Sequence, residues 1–312
     1  MPASANFTPS SPSDVAVLIV TYGESRVNHT IRCIESVLDQ SYQPEEIHVL
    51  VEGTAPFNLL SKRFETDPIV HVHEQVEEYS GVARVRNEVT LFASGDVYVF
   101  IDDDATADPD WLNRIVNAYD SETPAVGGDA LPQWETTAPW SLPPSFYWLV
   151  GVTHEGFSDG SEEVRNTFGC NLSVRAEVFE ELGGFDESFG KTYGHNLQGE
   201  EPEFGARMKK AYGRGFKHAP EATVHHHVTR EQTRFSWLLN RSYWQGVSKA
   251  QMDGDTIDTE WSYLSWIVFD QFPKHIIRGF RNPREWGHLV GLVSFTSAVG
   301  VGYLSGRIKN LF

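Results

Sequence analysis

Three consecutive carboxylates, Asp102, Asp103 and Asp104, follow the apolar run Val97-Tyr98-Val99-Phe100-Ile101. Acids at the end of a buried strand lie at the carboxyl edge of a sheet, where open α/β folds bind ligands. Like charges at this spacing repel unless a cation or a ligand neutralises them. In an extended chain Asp102 and Asp104 point to one side and Asp103 to the other. Such an Asp-x-Asp pair suits a divalent cation holding a diphosphate, and oxygen donors favour Mg²⁺ or Mn²⁺ over zinc. A solvated acidic turn before a helix is the structural alternative. His225, His226 and His227 follow Ala222-Thr223-Val224. Three imidazoles after a strand point to one functional histidine, while alternation leaves open which. Glu200-Glu201-Pro202 reads as a helix start. The helix dipole keeps carboxylates ionised there, whereas burial moves their pKa towards that of a useful base. Ordinary dipole pairing is the alternative. Arg86 is a forked, always-charged group that either grips phosphate or pairs with a nearby acid.

These residues need a scaffold. Continuous apolar runs over 15–21, 47–51 and 97–101 predict buried parallel strands, and 69–73 a weaker one. Helices are expected over 27–40, 80–92, 111–119 and 200–212, with further short strands at 125–128, 167–174 and up to Val224. Strands alternating with helices predict an α/β fold with a mainly parallel sheet and helices on both faces. Residues 130–165 carry four prolines and many aromatic residues, which suits either a substrate-binding loop or ordinary surface packing.

The succession Val17-Leu18-Ile19-Val20-Thr21-Tyr22, Gly81-Val82-Ala83-Arg84-Val85-Arg86-Asn87, Asp102-Asp103-Asp104, Gly183-Gly184-Phe185-Asp186-Glu187 and Gly199-Glu200-Glu201 resembles glycosyltransferase family 2. That family comprises inverting, nucleotide-sugar-dependent enzymes with the GT-A fold. The resemblance covers residues 15–227. It implies a catalytic domain over 15–230, with a nucleotide-sugar half at 15–129 and an acceptor half at 130–230. Thr21 and Tyr22 then line the base, with Glu52 where the family usually has an Asp facing the uracil. Arg86 takes the phosphate side, Asp102 the ribose, and Asp103 completes the nucleotide-sugar pocket. Asp104 ligates the metal, Mg²⁺ or Mn²⁺, and the Ala-x-Val-x-His spacing selects His226 beside it. Glu201 takes the position of the general base, one methylene longer than the family's Asp.

The chain has 312 residues and a net charge of -18, with 17 of its 25 basic residues being Arg. So acidic a surface argues against nucleic-acid binding and suits a salt-rich cytoplasm. The first 14 residues read as disordered and show no secretory pattern. Cys33 fits the packed face of a helix, and Cys170 lacks the neighbours of an obvious nucleophile, so free thiols in a reducing compartment are expected. Residues 231–312 are expected to be helical. Within 261–312 six basic residues, Lys274, Arg278, Arg281, Arg284, Arg307 and Lys309, face only Asp270 and Glu285. Aromatic residues accompany them, and an apolar run of about 16 residues is short of the roughly 20 that span a bilayer. A helical tail lying in the membrane interface is expected, on the cytoplasmic face, with a cap packed on the protein as the alternative.

The acidic composition together with Thr223-Val224-His225-His226-His227-Val228 resembles haloarchaeal, membrane-associated members of that family that build N-glycans on dolichyl phosphate. This resemblance implies transfer of a sugar, plausibly a hexuronic acid, from a UDP-sugar to a lipid-linked saccharide. The alternatives are a polysaccharide or cell-surface glycolipid glycosyltransferase, and an inactive nucleotide-sugar-binding scaffold at the membrane.

Overall fold

The computed structural model describes residues 7–8, 11–75, 81–158, 160–164, 166–189, 191–192, 195–252 and 257–309. In chain order the elements are β1 (Val15–Tyr22), α1 (Val27–Leu38), β2 (Glu46–Glu52), α2 (Thr54–Phe64), β3 (Val70–Gln75), α3 (Val82–Thr90), β4 (Val97–Phe100), β5 (Ala105–Ala107), α4 (Trp111–Ala118) and β6 (Ala125–Trp134). Next come β7 (Glu163–Val164), β8 (Leu172–Arg175), α5 (Ala176–Glu181), β9 (Lys191–Thr192), β10 (His195–Asn196), α6 (Glu200–Tyr212), β11 (Phe216–Val228), α7 (Phe235–Lys249), α8 (Ile257–Trp266), α9 (Phe272–Gly279) and α10 (Arg284–Lys309).

The chain divides into two compact units. The first comprises residues 1–131, 160–195 and 200–226. It is built on a sheet of order β3-β2-β1-β4-β8-β6-β11-β5, with β7 paired to β11. β3, β2, β1 and β4 run parallel, as the continuous apolar runs of β1, β2 and β4 predict, with the weaker β3 at the edge. Val15, Ala16, Val17 and Ile19 have no exposed surface, so β1 is covered on both faces. Full burial of each such aliphatic side chain favours the fold by about 1.5–3 kcal/mol. The other half of the sheet departs from the expected mainly parallel arrangement. β8 is antiparallel to β4 and to β6, and β11 is antiparallel to β5 and β7. α1 lays Val27, Thr30, Cys33, Ile34 and Val37 inwards, the stripe expected of an amphipathic helix. Cys33 and Cys170 are both buried, and burial lifts both thiols well above their usual pKa, which makes them packing residues.

The helix expected over 80–92 is observed as α3, and Ser80 lies outside the described residues. α2 was not expected: its buried positions Pro56, Leu60 and Phe64 recur only every fourth residue. Within the first 14 residues Phe7 is buried, with the Arg175 guanidinium 4.8 Å from its ring and its backbone N–H donating to the Ser121 carbonyl. Residues 1–6, 9 and 10 lie outside the described residues.

The second unit comprises residues 132–159, 196–199 and 227–312 and is helical. α7 and α10 pack closely because glycine faces backbone at two places. A Cβ on Gly246 would collide with the Val299 carbonyl, and one on Gly302 with the Tyr243 carbonyl. Part of the proline- and aromatic-rich connection packs into this unit: Phe146, Leu149 and Val150 are buried, and the Trp148 indole donates to the Tyr263 hydroxyl at 3.0 Å. α10 is 26 residues long, well beyond the apolar run of about 16 expected for an interfacial segment. By length and composition it could cross a membrane, although a third of its most apolar window is buried.

Candidate active site

The acid cluster sits where β4 leaves the sheet, in a turn closed by the Ala105 N–H donating to the Asp102 carbonyl at 2.9 Å instead of the expected extended chain. Asp103 turns inwards and is 3 % exposed. It accepts hydrogen bonds from the Thr21 hydroxyl at 2.6 Å and from Nε and Nη2 of Arg26 at 2.7 and 2.5 Å. Burial outweighs Arg26 and raises the Asp103 pKa above its ordinary value. Thr21 is itself buried and shares a 3.0 Å hydrogen bond with Thr30. Asp103 and Thr21, both expected at the nucleotide, therefore lie inside the wall that carries the site. Tyr22 is half exposed, with the Arg26 guanidinium 5.0 Å from its ring centroid. Glu52 ends β2 directly opposite Tyr22 in the β1–β2 register.

Asp104 shares Nη2 of Arg26 with Asp103. Its Oδ1 lies 3.3 Å from Nε2 of His226, and its Oδ2 accepts from Arg26 at 2.7 Å. Burial opposes ionisation of Asp104, but His226 and Arg26 prevail and hold its pKa well below the usual carboxylate range. The same contact raises the His226 pKa against the effect of burial. The β11–β5 pairing sends two of the three histidines to different acids. His226 lies opposite Ala105 and reaches Asp104, whereas His225 turns to Asp108, 2.9 Å away.

Asp102 leads to the third cluster. Arg86, 4 % exposed, donates to Asp102 at 2.8 Å and to both Glu200 and Glu201 at 3.2 Å. One guanidinium thus ties the strand end to the first turn of α6. Burial, then the charge of Glu200, pushes the Glu201 carboxyl up to about 7 despite Arg86. Gly169 makes room for this arginine, because a Cβ there would collide with the guanidinium. Gly169→Ala is therefore expected to displace Arg86 from three carboxylates and to lower stability by about 2–3 kcal/mol. Urea unfolding measures this directly, and an unchanged midpoint would contradict the packing described.

Two contributors went unrecognised in the sequence. Arg26 bridges Asp103 and Asp104, yet it carries no motif and gains its role from the turn at Gly23. Glu200 was visible as the neighbour of Glu201, but its bond to Arg86 is a tertiary fact. Asn87 has a supporting part: its side chain donates to the Phe185 carbonyl at 2.9 Å and accepts from the Phe185 N–H at 2.8 Å, fixing the Gly183-Gly184 turn.

Ligand atoms of Asp102, Asp104 and His226 lie within 4.8 Å of one another. Nδ1 of His226 is buried and lacks a hydrogen-bond partner. Two carboxylates and an imidazole fit a divalent cation that also takes oxygen atoms from a ligand.

A parallel half-sheet ending in an Asp-x-Asp pair, with an antiparallel half supplying the histidine, is the GT-A architecture of nucleotide-sugar transferases. The family profile described as glycosyl transferase family 2 matches residues 16–183. The glucosyl-dolichyl phosphate glucuronosyltransferase of Haloferax volcanii is 34 % identical over 304 residues, covering 94 % of this chain and 96 % of that protein. The succinoglycan biosynthesis protein ExoM of Rhizobium meliloti is 27 % identical over 259 residues, 78 % of this chain and 76 % of that protein. Among solved structures, the mannosyltransferase PcManGT of Pyrobaculum calidifontis, in complex with GDP-Man and Mn²⁺, aligns with a TM-score of 0.62 at 17 % identity, over 97 % of this chain and 90 % of that one. GalNAc-T7 with UDP, GalNAc and Mn²⁺ aligns at 0.52 and 16 % identity, over 78 % of this chain and 52 % of that one. The chain belongs to glycosyl transferase family 2.

Proposed function

We propose that this enzyme transfers a hexuronic acid, with glucuronic acid the first candidate, from a UDP-sugar to a saccharide carried on dolichyl phosphate. The observation that carries the donor and acceptor is the near full-length similarity to the Haloferax volcanii glucuronosyltransferase. The site supplies compatible chemistry. Glu201, with its pKa near 7, accepts the proton of the acceptor hydroxyl as that oxygen attacks the anomeric carbon. The bond from the anomeric carbon to the phosphate oxygen breaks, its electron pair leaves with the nucleoside diphosphate, and the configuration inverts. Arg86 keeps Glu201 in register with Asp102. A divalent cation, Mg²⁺ or Mn²⁺, held by Asp102, Asp104 and His226 supplies charge neutralisation for the diphosphate. Tyr22 and Glu52 border the base at the ends of β1 and β2, and residues 15–230 form the catalytic part.

The test is a donor panel offered with glucosyl-dolichyl phosphate. UDP-glucuronate is expected to label the lipid fraction at least about tenfold faster than UDP-glucose or GDP-mannose, the scale of discrimination of a donor site built for one sugar. Equal rates for the neutral donors would overturn the hexuronate assignment.

The lipid acceptor has a physical counterpart in residues 231–312. α10 buries Leu289, Leu292 and Phe295 on one face, while Val290, Val293, Val301, Leu304 and Ile308 are exposed on the opposite one. Phe269, Ile277 and Phe280 are exposed as well. A helix that is apolar on both faces needs a second apolar environment, and with Arg278, Arg281 and Arg284 nearby the cytoplasmic membrane face supplies one. Replacing Val293, Val301, Leu304 and Ile308 together by Ser is expected to move the protein from the membrane pellet to the supernatant, with donor binding retained. A variant that stays in the pellet in high salt would contradict this seating.

A further inference from the structure

A second cluster of ligand-type side chains lies wholly in the helical unit. His275 is on α9, and Glu285 and His288 are on the first turns of α10, with Asn282 and Pro283 in the turn between. Their ligand atoms all lie within 4.8 Å of one another. Nδ1 of His275 is 2.5 Å from Oε2 of Glu285, and Nδ1 of His288 is 3.7 Å from the same oxygen. The two imidazoles meet edge to face with centroids 5.3 Å apart.

A simple His–Glu hydrogen bond accounts for only part of this. His275 is 3 % exposed, and its Nε2 has no hydrogen-bond partner. Nδ1 of His288 is likewise buried without one. Native proteins pair or hydrate nearly all such atoms, because a buried unsatisfied nitrogen is costly. The observed separations of 2.5 and 3.7 Å bracket the roughly 3.3 Å between donors in a tetrahedral shell with bonds of about 2.0–2.1 Å.

We infer that His275, Glu285 and His288 hold one zinc-class divalent ion that clips α9 to α10, with solvent completing the shell. Two imidazoles and one carboxylate select such ions over Mg²⁺ or Mn²⁺, whereas the Asp102, Asp104 and His226 cluster, richer in carboxylate, favours the harder cations. With Nδ1 of His275 and Nδ1 of His288 as the nitrogen donors, one ion gives the free His288 nitrogen a partner and neutralises the Glu285 charge. Asn282 supports the arrangement, its amide lying 3.4 Å from Oε1 of Glu285.

The test uses the full-length, detergent-purified protein stripped of metal. Zinc is added in the presence of excess Mg²⁺, and retained zinc is measured after gel filtration in the wild type and in Asp104→Asn, Glu285→Gln and His288→Gln. One equivalent is expected to remain in the wild type and in Asp104→Asn. Affinity is expected to fall by about a hundredfold in Glu285→Gln and His288→Gln, on the scale of losing one ligand. The melting temperature of the wild type is expected to rise by about 3 °C or more with zinc well above its Kd. Retention that survives both Glu285→Gln and His288→Gln marks adventitious surface binding and overturns the site, as does a wild type that retains no zinc. Should the variants lose their fold by near-ultraviolet circular dichroism, X-ray absorption on the zinc-loaded wild type decides. Two imidazoles in the shell support the site, and a shell of oxygen alone overturns it.

Discussion

Glu201→Gln is expected to lower kcat by about a hundredfold or more while leaving the Kd for the nucleotide sugar nearly unchanged, the behaviour of a lost general base. The pH profile provides the sharper signature. Only the ionised carboxylate accepts a proton, and burial with Glu200 beside it sets the Glu201 pKa at about 7. Turnover in the wild type is therefore expected to climb as pH rises through about 7 and to level off above it. In Glu201→Gln that limb should vanish, because the amide does not titrate there. Glu200→Gln removes the like charge that helps raise the pKa, so its profile should shift to lower pH with turnover largely kept. If Glu200→Gln abolishes turnover and Glu201→Gln retains it, the base is the other carboxylate.

Asp104→Asn is expected to have an effect of similar or greater size, by a different route. The substitution keeps volume but removes the charge that faces His226 and Arg26. Loss of charge neutralisation at a departing diphosphate is a matter of several kcal/mol, so transfer should fall by about a thousandfold or more. The defect should resist added Mn²⁺, and a chelator should reduce the wild type towards the variant. Activity that persists in chelator and in Asp104→Asn would remove the cation from the account. Because Arg26 then loses one of its two carboxylates, a modest change in stability is also expected, readable by urea unfolding.

The parts of this molecule that were legible in the sequence share a physical cause. β1, β2 and β4 are covered on both faces, so each is written as an unbroken apolar run. Asp102 and Asp104 do come together as expected, but through a turn closed by the Ala105 N–H on the Asp102 carbonyl and not through extended geometry. His226 followed from the family spacing, and the β11–β5 register explains why His225 is directed elsewhere. Other parts depend on contacts that leave no local trace. β8 is a short, fully buried strand, and burial alone does not state whether its partners run with it or against it. Arg26 became part of the site through Asp103, some 77 residues away. α10 carries several glycines within its apolar sequence. In the folded chain they admit neighbouring backbone, Gly291 beside Ser141 and Gly302 beside Tyr243, and the helix runs on through them. Asp103 and Thr21 show the converse: two residues of the motifs are buried and hydrogen-bonded to each other, a pairing that no local pattern announces.

An inverting transfer of a hexuronate onto a lipid-linked sugar fixes the configuration of its product. The most direct measurement is nuclear magnetic resonance of the product formed by the purified, full-length protein from UDP-α-glucuronate, Mn²⁺ and glucosyl-dolichyl phosphate. A new glycosidic bond in the β configuration on the lipid-linked glucose is expected, with release of UDP. A product that retains the α configuration, or release of free glucuronate with the lipid unchanged, would contradict it.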